Sequence, residues 1–205
     1  MKKTFCLTMF IILLSLSQSP AQDFADKPPL WKPGDSWYYR HGKLNDVSFF
    51  EHLEVIGFST FYGQTSYKVL LRSYSHKYEP FDPYHLHFSR DFFYLSMEKS
   101  DGKFETPLMT PPKLRWPLKN YMQWQNPHYE PWLDAYILSY YSVSRERVSV
   151  PAGVFDCFRV ERVYNSPDNK RFEFTYWYSP LVGNWIKVAH LRGFVDELLK
   201  YSKEK

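Results

Sequence analysis

Two histidines separated by a single residue are the side chains whose spacing most resembles a metal site. His85 and His87 flank Leu86, so both would point to the same face of a β-strand, and Asp82 or His76 could add a ligand. A zinc site needs three or four ligands, and the spacing does not define the others. A solvated strand face explains the same pattern, so we expect no metal and no other cofactor.

Carboxylates offer a second kind of chemistry. Four glutamates lie in predicted strands close to aromatic residues, namely Glu51, Glu54, Glu161 and Glu173. A glycosidase uses two carboxylates about 5 to 10 Å apart, and an aromatic-rich β protein can bring such a pair together by chance. Arginines on neighbouring strands would instead make these glutamates ordinary cross-strand partners. Since the chain also has no G-x-S-x-G motif, we expect no enzymatic activity.

Aromatic residues crowd a proline-rich segment, and there we expect a ligand to bind. The prolines of 106–132 break the strand pattern, because proline lacks the backbone N–H that a sheet requires. We therefore predict a long irregular loop that packs onto the core, either as a plug or as a lid over the mouth of an apolar cavity. The candidate ligand-binding residues are Trp116, Tyr121, Trp124 and Trp132 in this loop and Tyr176 in a later strand.

Most of the remaining chain predicts β-strands. Apolar and polar residues alternate along 171–178, with Phe172, Phe174 and Tyr176 on one face, a pattern typical of a half-buried strand. Similar runs, separated by turns that contain glycine or proline, give roughly ten strands. We predict an all-β fold, a single antiparallel and strongly curved sheet or half-barrel.

The N-terminus predicts an export signal. Lys2 and Lys3 precede an apolar stretch at 5–16, and Ser19 and Ala21 occupy the small-residue positions that a signal peptidase reads. The apolar stretch is too short to span a bilayer, which takes about 20 residues. We expect a signal peptide at 1–21, a linker at 22–30 and a single β domain at 31–205. The processed protein would be periplasmic or secreted, without a stable transmembrane anchor.

Charge and cysteine content exclude two further classes. The formal charge of +4 includes Lys2 and Lys3, and without these two lysines it is too small to indicate a nucleic-acid partner. The signal carries Cys6, so the processed chain would keep only Cys157 and could form no internal disulfide. Near Cys157 and Phe158 the apolar positions of a predicted strand change face, which predicts a β-bulge.

Two motifs carry a resemblance to a known group of proteins. Residues 148–155 read Val-Ser-Val-Pro-Ala-Gly-Val-Phe, and residues 176–183 read Tyr-Trp-Tyr-Ser-Pro-Leu-Val-Gly. A VxVPAGxF hairpin followed by a YWYxPxxG strand end resembles a broad group of exported bacterial proteins of unknown function. The resemblance implies an antiparallel sheet curled around an apolar interior, similar to the lipoprotein-carrier type of half-barrel, and it implies no reaction. Asn120 and Tyr121 stand where the group has glycine.

These observations favour a non-enzymatic envelope protein that holds a hydrophobic ligand in a curved sheet. The ligand would be a lipid tail or an apolar segment of another envelope protein, and each buried CH₂ would contribute about 0.8 kcal/mol. One alternative is a carbohydrate-binding or glycoside-cleaving domain that uses exposed aromatic residues. Another is a structural partner in an envelope assembly. An internal apolar cavity favours the first function, whereas coplanar exposed rings favour the carbohydrate alternative.

Overall fold

The chain folds almost entirely into antiparallel strands. A computed structural model describes residues 24–43, 46–61, 63–92, 94–105, 114–130 and 133–204. The strands in these ranges are β1 (Phe24–Ala25), β2 (Ser36–Lys43), β3 (Asp46–Phe61), β4 (Gln64–Ser75), β5 (Tyr84–Ser89), β6 (Tyr94–Glu98), β7 (Phe104–Glu105), β8 (Leu118–Lys119), β9 (Gln123–Glu130), β10 (Ala135–Val150), β11 (Gly153–Asn165), β12 (Arg171–Ser179), β13 (Asn184–Ala189) and β14 (Phe194–Ser202). A short 3-10 turn, Leu191–Gly193, connects β13 to β14.

Twelve of the described strands form one open sheet. Their order is β7-β6-β5-β4-β3-β2-β14-β13-β12-β11-β10-β9, and β1 pairs separately with β8. The sheet therefore consists of two meanders, β2 to β7 and β9 to β14, which are joined in the middle by the pairing of β2 with β14. The prediction of a single antiparallel all-β sheet is confirmed, with more strands than the roughly ten expected.

The sheet curls until its two halves face each other. Phe92, which follows β5, has its ring centroid 5.6 Å from that of Trp185 in β13. In the strand order β13 is the fifth strand from β5, and five spacings of about 4.8 Å would separate the two by about 24 Å in a flat sheet. Contact between these rings requires the strong curvature that the sequence predicts.

An aromatic plug fills one end of the curl. Its centre is Trp31, which is 2% exposed and whose Nε1 donates a hydrogen bond of 2.8 Å to the carbonyl oxygen of Gly183. Four rings surround this indole at centroid distances of 4.8 to 5.3 Å, those of Trp37, Tyr67, Phe88 and Phe92. Each such aromatic pair adds about 0.5–1.5 kcal/mol beyond its buried area, so the plug is a major source of stability.

Part of the predicted irregular loop is a strand. Residues 118–119 form β8 and pair with β1, and residues 123–130 form β9 and pair with β10, so the expectation of irregular structure throughout 106–132 is wrong for these ten residues. Pro127 lies inside the strand, but β9 is at the edge of the sheet, where a proline leaves no ladder hydrogen bond unmade. Residues 106–113 and 131–132 lie outside the described part of the chain.

The bulge predicted near Cys157 is absent. β10 and β11 remain in register, without a shift, from the pair Tyr140–Val163 to the pair Val150–Gly153. The apolar pattern changes face because both faces are covered there. Phe155 packs against Tyr201 of β14 on one face, while Phe158 lies beneath the guanidinium of Arg145 on the other.

The structure describes the N-terminal region only from residue 24 onward. The predicted signal peptide, 1–21, lies outside the described residues. Of the predicted linker, 22–30, the structure describes 24–30, and its residues Phe24 and Ala25 pair with Lys119 and Leu118. In the described ranges, none of the helical segments has the length and apolar character needed to cross a membrane.

Candidate functional site

A cavity of about 600 Å³ lies between the two halves of the curled sheet. Phe88 belongs both to the aromatic plug and to the cavity wall, so the plug forms the cavity floor. The wall is mostly apolar and draws on both meanders, with side chains of Phe49, Leu71, Leu86, Phe88, Tyr94, Met97, Phe174, Tyr176, Trp185, Val188, Leu191 and Phe194.

The alternation of strand residues places these side chains. β5 contributes Leu86 and Phe88, and β12 contributes Phe174 and Tyr176. Each pair is two residues apart, so both members face the same side of the sheet. All four are less than a tenth exposed, which makes the concave face of these strands the apolar one.

The cavity opens at the end of the sheet opposite the plug. Phe194 lines the cavity and is 40% exposed, and Leu191 and Phe49 beside it are half-buried. Lys43 is the pairing partner of Phe194 across β2 and β14, and its Nζ lies 5.2 Å from the centroid of the Phe194 ring. We call this region, Lys43, Phe49, Leu191 and Phe194, the mouth.

A cluster of histidines and carboxylates lines the cavity just inside the mouth. His41 Nδ1 lies 2.6 Å from Asp196 Oδ1, and His41 Nε2 lies 2.9 Å from Glu51 Oε2. The second oxygen of Asp196 contacts His190 Nε2. These four side chains, the histidine–carboxylate cluster, come from β2, β3, β14 and the residue after β13, so they connect the two meanders.

The central imidazole of this cluster is charged at neutral pH. Burial alone would lower the pKa of His41, but Glu51 and Asp196 outweigh it and raise the pKa to about 10. Burial would likewise raise the pKa of Asp196, and the hydrogen bonds from His190 and His41 outweigh that effect and lower it. An imidazolium therefore lies between two carboxylates, and both of its nitrogens carry protons.

A second polar group lies deeper in the wall. The guanidinium of Arg162 in β11 forms an ion pair with Glu130 at the end of β9, and the two side chains are 3% and 1% exposed. Arg162 Nε also donates to Ser139 Oγ at 3.1 Å. A buried ion pair is tolerated when further hydrogen bonds satisfy its donors, and Ser139 contributes one of these.

This arrangement is suited to holding an apolar molecule. The ring of His41 occupies the space between Glu51 and Asp196, so these carboxylates do not frame an open position for a sugar, as the pair in a glycosidase does. The charged groups contact one another, and the rest of the wall consists of hydrocarbon and aromatic surface. Such surface gains free energy when it exchanges water for another apolar surface.

Two of the predicted ligand-binding residues lie near the floor and wall of the cavity. Tyr176 lines the cavity directly. Trp116 is half-buried and extends the plug, because its ring packs edge-on against Tyr178 at 5.6 Å and its Nε1 donates to the carbonyl oxygen of Asp91 at 3.2 Å. Tyr176, in the sheet, therefore lies at the cavity, and Trp116, in the predicted loop, lies at the plug.

The other predicted residues lie elsewhere. Trp124 is buried and stacks on Tyr141 at a centroid distance of 4.8 Å. Tyr121 is 84% exposed and has a φ of +63°, in the left-handed region that glycine adopts without steric cost. This conformation suits the glycine that the resemblance led us to expect here, although the chain has tyrosine at the position. Trp132 lies outside the described residues.

The two candidate histidines share a single carboxylate. His85 Nδ1 and His87 Nε2 lie 3.7 and 3.2 Å from Glu98 Oε2. The same oxygen is 2.9 Å from Lys68 Nζ, so a lysine occupies the position where a cation would bind. Over the ranges that the structure describes, no group of three or more histidine, cysteine, aspartate or glutamate side chains is arranged so that it could hold a metal ion.

The candidate glutamates divide between the surface and the cavity. Arg72 contacts Glu54 at 2.8 Å, Arg159 contacts Glu161 at 2.6 Å and Arg171 contacts Glu173 at 2.6 Å. Arginine partners were expected across neighbouring strands, and only Arg72 and Glu54, on β4 and β3, are such a pair, whereas the other two pairs each join residues two positions apart on one strand. Glu51 alone of the four lines the cavity.

Apart from Glu51, the polar residues of the cavity wall were not predicted from the sequence. His41 follows Trp37 and Tyr39 at two-residue spacing, and Arg162 lies between Val160 and Tyr164 in the same way. A polar residue within an otherwise apolar two-residue period is a signal of a buried polar group. That signal is present in the sequence at both His41 and Arg162.

Two solved structures are similar to the chain. A candidate lipoprotein from Parabacteroides distasonis has 11% sequence identity and a TM-score of 0.47, covering 87% of this chain and 99% of its own. A candidate exported protein with a YmcC-like fold from Bacteroides fragilis has 14% identity and a TM-score of 0.48, covering 87% and 100%. The chain matches no protein-family model, and the comparison with curated proteins gives no match.

Proposed function

We propose that the protein is an exported envelope protein that binds a hydrophobic ligand in the cavity of its curved sheet. Of the two ligands considered, a lipid tail and an apolar protein segment, we propose the lipid tail. The observation that carries the proposal is the cavity of about 600 Å³, with its mostly apolar wall and exposed mouth. Its volume lies within the range of about 300–1,000 Å³ of small-molecule sites. Export rests on the N-terminal signal pattern of the sequence.

The free energy of binding would come from burial of hydrocarbon. Each CH₂ that leaves water contributes about 0.8 kcal/mol, and side chains such as Leu86, Phe174 and Val188 offer it close contacts. An empty apolar cavity lacks dispersion partners on its open side. A tail would supply those partners without disturbing the polar groups, which are already paired with one another.

Filling the cavity tests the proposal. Val188 lines the cavity and is 8% exposed, so Val188→Trp would place an indole where the tail is proposed to lie. We expect saturable binding of a fluorescent fatty acid to the unaltered protein and an affinity at least about tenfold lower for Val188→Trp.

Val154→Trp is the matched control, because Val154 is 56% exposed and does not line the cavity. It should bind as the unaltered protein does, and circular dichroism should show the same sheet content in all three proteins. Equal affinity of Val188→Trp and Val154→Trp, or no uptake by the unaltered protein, would refute the proposal.

Exposed tyrosines on the outer face of β9 and β10 are the rings on which a sugar would stack in the carbohydrate alternative. Tyr129, Tyr136 and Tyr140 are 41%, 82% and 50% exposed. The rings of Tyr129 and Tyr136 meet at 60°, so they do not form the coplanar platform on which a sugar would stack. A glycan array would separate the alternatives, since the lipid proposal predicts no enriched glycan.

A further inference from the structure

The charges around the cavity indicate which kind of amphiphile it would hold and in which direction. This inference rests on the proposed function, because it concerns the ligand of the same cavity. The interior carries three carboxylates, Glu51, Glu130 and Asp196. The cations Arg162 and His41 already contact these carboxylates, and His190 contacts Asp196.

Arg162 and His41 offer no open position to an anionic headgroup, because carboxylates already contact both. It would lose its hydration on entering the cavity, and burying an unpaired charge is strongly unfavourable. It would also compete with existing carboxylates for Arg162 and His41, which are each held from more than one side. These groups therefore favour an apolar chain over an anion in the interior.

The mouth has the opposite character. Lys43 is exposed, and its Nζ lies over the ring of Phe194. Arg192 is exposed in the turn between Leu191 and Phe194, two residues that line the cavity. Among the residues that the structure describes, neither Lys43 nor Arg192 has an ion-pair partner within 4.0 Å. Two cations without an ion-pair partner among the described residues thus flank the apolar mouth.

We propose that the ligand is a single-chain anionic amphiphile, bound with its tail inward and its headgroup at the mouth beside Lys43 and Arg192. The shared chemistry of the headgroup is a carboxylate or a phosphate. The apolar stems of both cations would lie along the rim while their charged ends meet the headgroup in water. Because these contacts are exposed, the tail supplies most of the affinity and the headgroup sets the orientation.

Three probes with the same chain test the charge preference, namely dodecanoate, dodecyl phosphate and dodecanol. We expect at least one anion to bind the unaltered protein about tenfold more tightly than the alcohol at low salt. The variant Lys43→Gln/Arg192→Gln should reduce the affinity for that anion to the level of the alcohol and leave the alcohol unchanged. Whether the carboxylate or the phosphate loses more identifies the preferred headgroup.

The control variant is Lys32→Gln/Arg115→Gln. Lys32 and Arg115 are exposed next to Trp31 and Trp116, at the plug end, so this variant should bind all three probes as the unaltered protein does. Equal affinities for the alcohol and the anions, or a loss in the mouth variant that is the same for all three probes, would overturn the inference. Failure of all three probes to bind the unaltered protein would refute the proposed function itself.

Orientation has its own measurement. Trp185 lines the cavity and Trp31 lies in its floor, so a quencher on the inner end of the ligand lowers tryptophan fluorescence most. A fatty acid with a nitroxide at the chain terminus should quench more strongly than one with the nitroxide beside the carboxylate. Equal or weaker quenching by the terminal nitroxide would overturn the tail-inward orientation.

Discussion

His41 and Asp196 lie opposite each other on β2 and β14, and their side chains meet at 2.6 Å. These two strands connect the meanders, so the pair lies at the junction of the sheet. Glu51 and His190 extend the contact to β3 and to the residue that follows β13. The charged state of His41 therefore bears on the stability of the whole curl.

The first prediction concerns the pH dependence of stability. The pKa of His41 is about 10 in the folded protein and about 6.5 in an unfolded chain. The folded state therefore holds a proton that the unfolded state releases. Its stabilisation is complete below about pH 6.5 and is lost as pH rises toward about 10. Urea unfolding should show a free energy of unfolding that falls by up to about 1.4 kcal/mol per pH unit between about pH 7 and pH 9.

Two variants check the origin of this dependence. His41→Gln should lose most of the slope, because glutamine does not titrate. His76→Gln changes an exposed histidine, and this variant should keep the pH slope of the unaltered protein. The same slope in His41→Gln as in the unaltered protein would contradict the assignment to His41.

The second prediction concerns the buried ion pair of Arg162 and Glu130. Arg162→Met leaves the carboxylate of Glu130 buried without its arginine and beside His128, whose Nε2 is 3.3 Å away, and this should lower the free energy of unfolding by about 3–5 kcal/mol. Arg162→Met/Glu130→Met removes both charges and should be clearly more stable than the single variant. Equal losses in the single and double variants, measured by urea unfolding, would show that the two side chains are not coupled.

The third prediction concerns the centre of the aromatic plug. Trp31→Ala removes a ring with four aromatic neighbours and a hydrogen bond to Gly183, and should cost about 3–5 kcal/mol. Leu30→Ala is the control, because Leu30 is adjacent and 73% exposed, and it should change stability by less than about 0.5 kcal/mol. If Trp31→Ala does not fold, Trp31→Phe gives a smaller loss that urea unfolding can measure. A loss no larger than that of Leu30→Ala would contradict the central position of Trp31.

The fourth prediction concerns the left-handed backbone at Tyr121. A non-glycine residue in this conformation costs about 1–2 kcal/mol, and glycine avoids that cost but loses about 0.5–1 kcal/mol of chain entropy. Tyr121→Gly should therefore be neutral or stabilising by up to about 1.5 kcal/mol. Tyr136→Gly, at an equally exposed position inside β10, should be destabilising. Thermal unfolding that ranks the two variants in the reverse order would contradict the argument.

The fold could be predicted because its signal is local. The alternation along 171–178 corresponds to β12, and the Pro-Ala-Gly turn after Val150 joins β10 to β11. Period-2 patterns and turn residues act over a few positions, so a single sequence reveals them. Edge position is not local, and for that reason Pro127 suggested a break where β9 runs as the outermost strand.

The cavity could be predicted only in outline. An apolar interior follows from the many inward-facing aromatic residues, and Tyr176 is part of the wall. The partners of the polar groups depend on the curl, since Glu130 and Arg162 are 32 positions apart and His41 and Asp196 are 155 apart. A pattern along one strand marks Arg162 as unusual but carries no information about which carboxylate it will meet.

The cavity forms only when β2 pairs with β14, because its wall draws on both meanders and this pairing joins them. Within each meander the hairpins join neighbours in sequence and can form early, whereas the junction must wait for residues 155 positions apart to meet. A chain in which this junction has not formed would expose the aromatic faces of two separate meanders, the kind of surface that aggregates or recruits chaperones. Deleting β14 would consequently leave two separate, aggregation-prone meanders and no cavity, and would not merely destabilise the cavity.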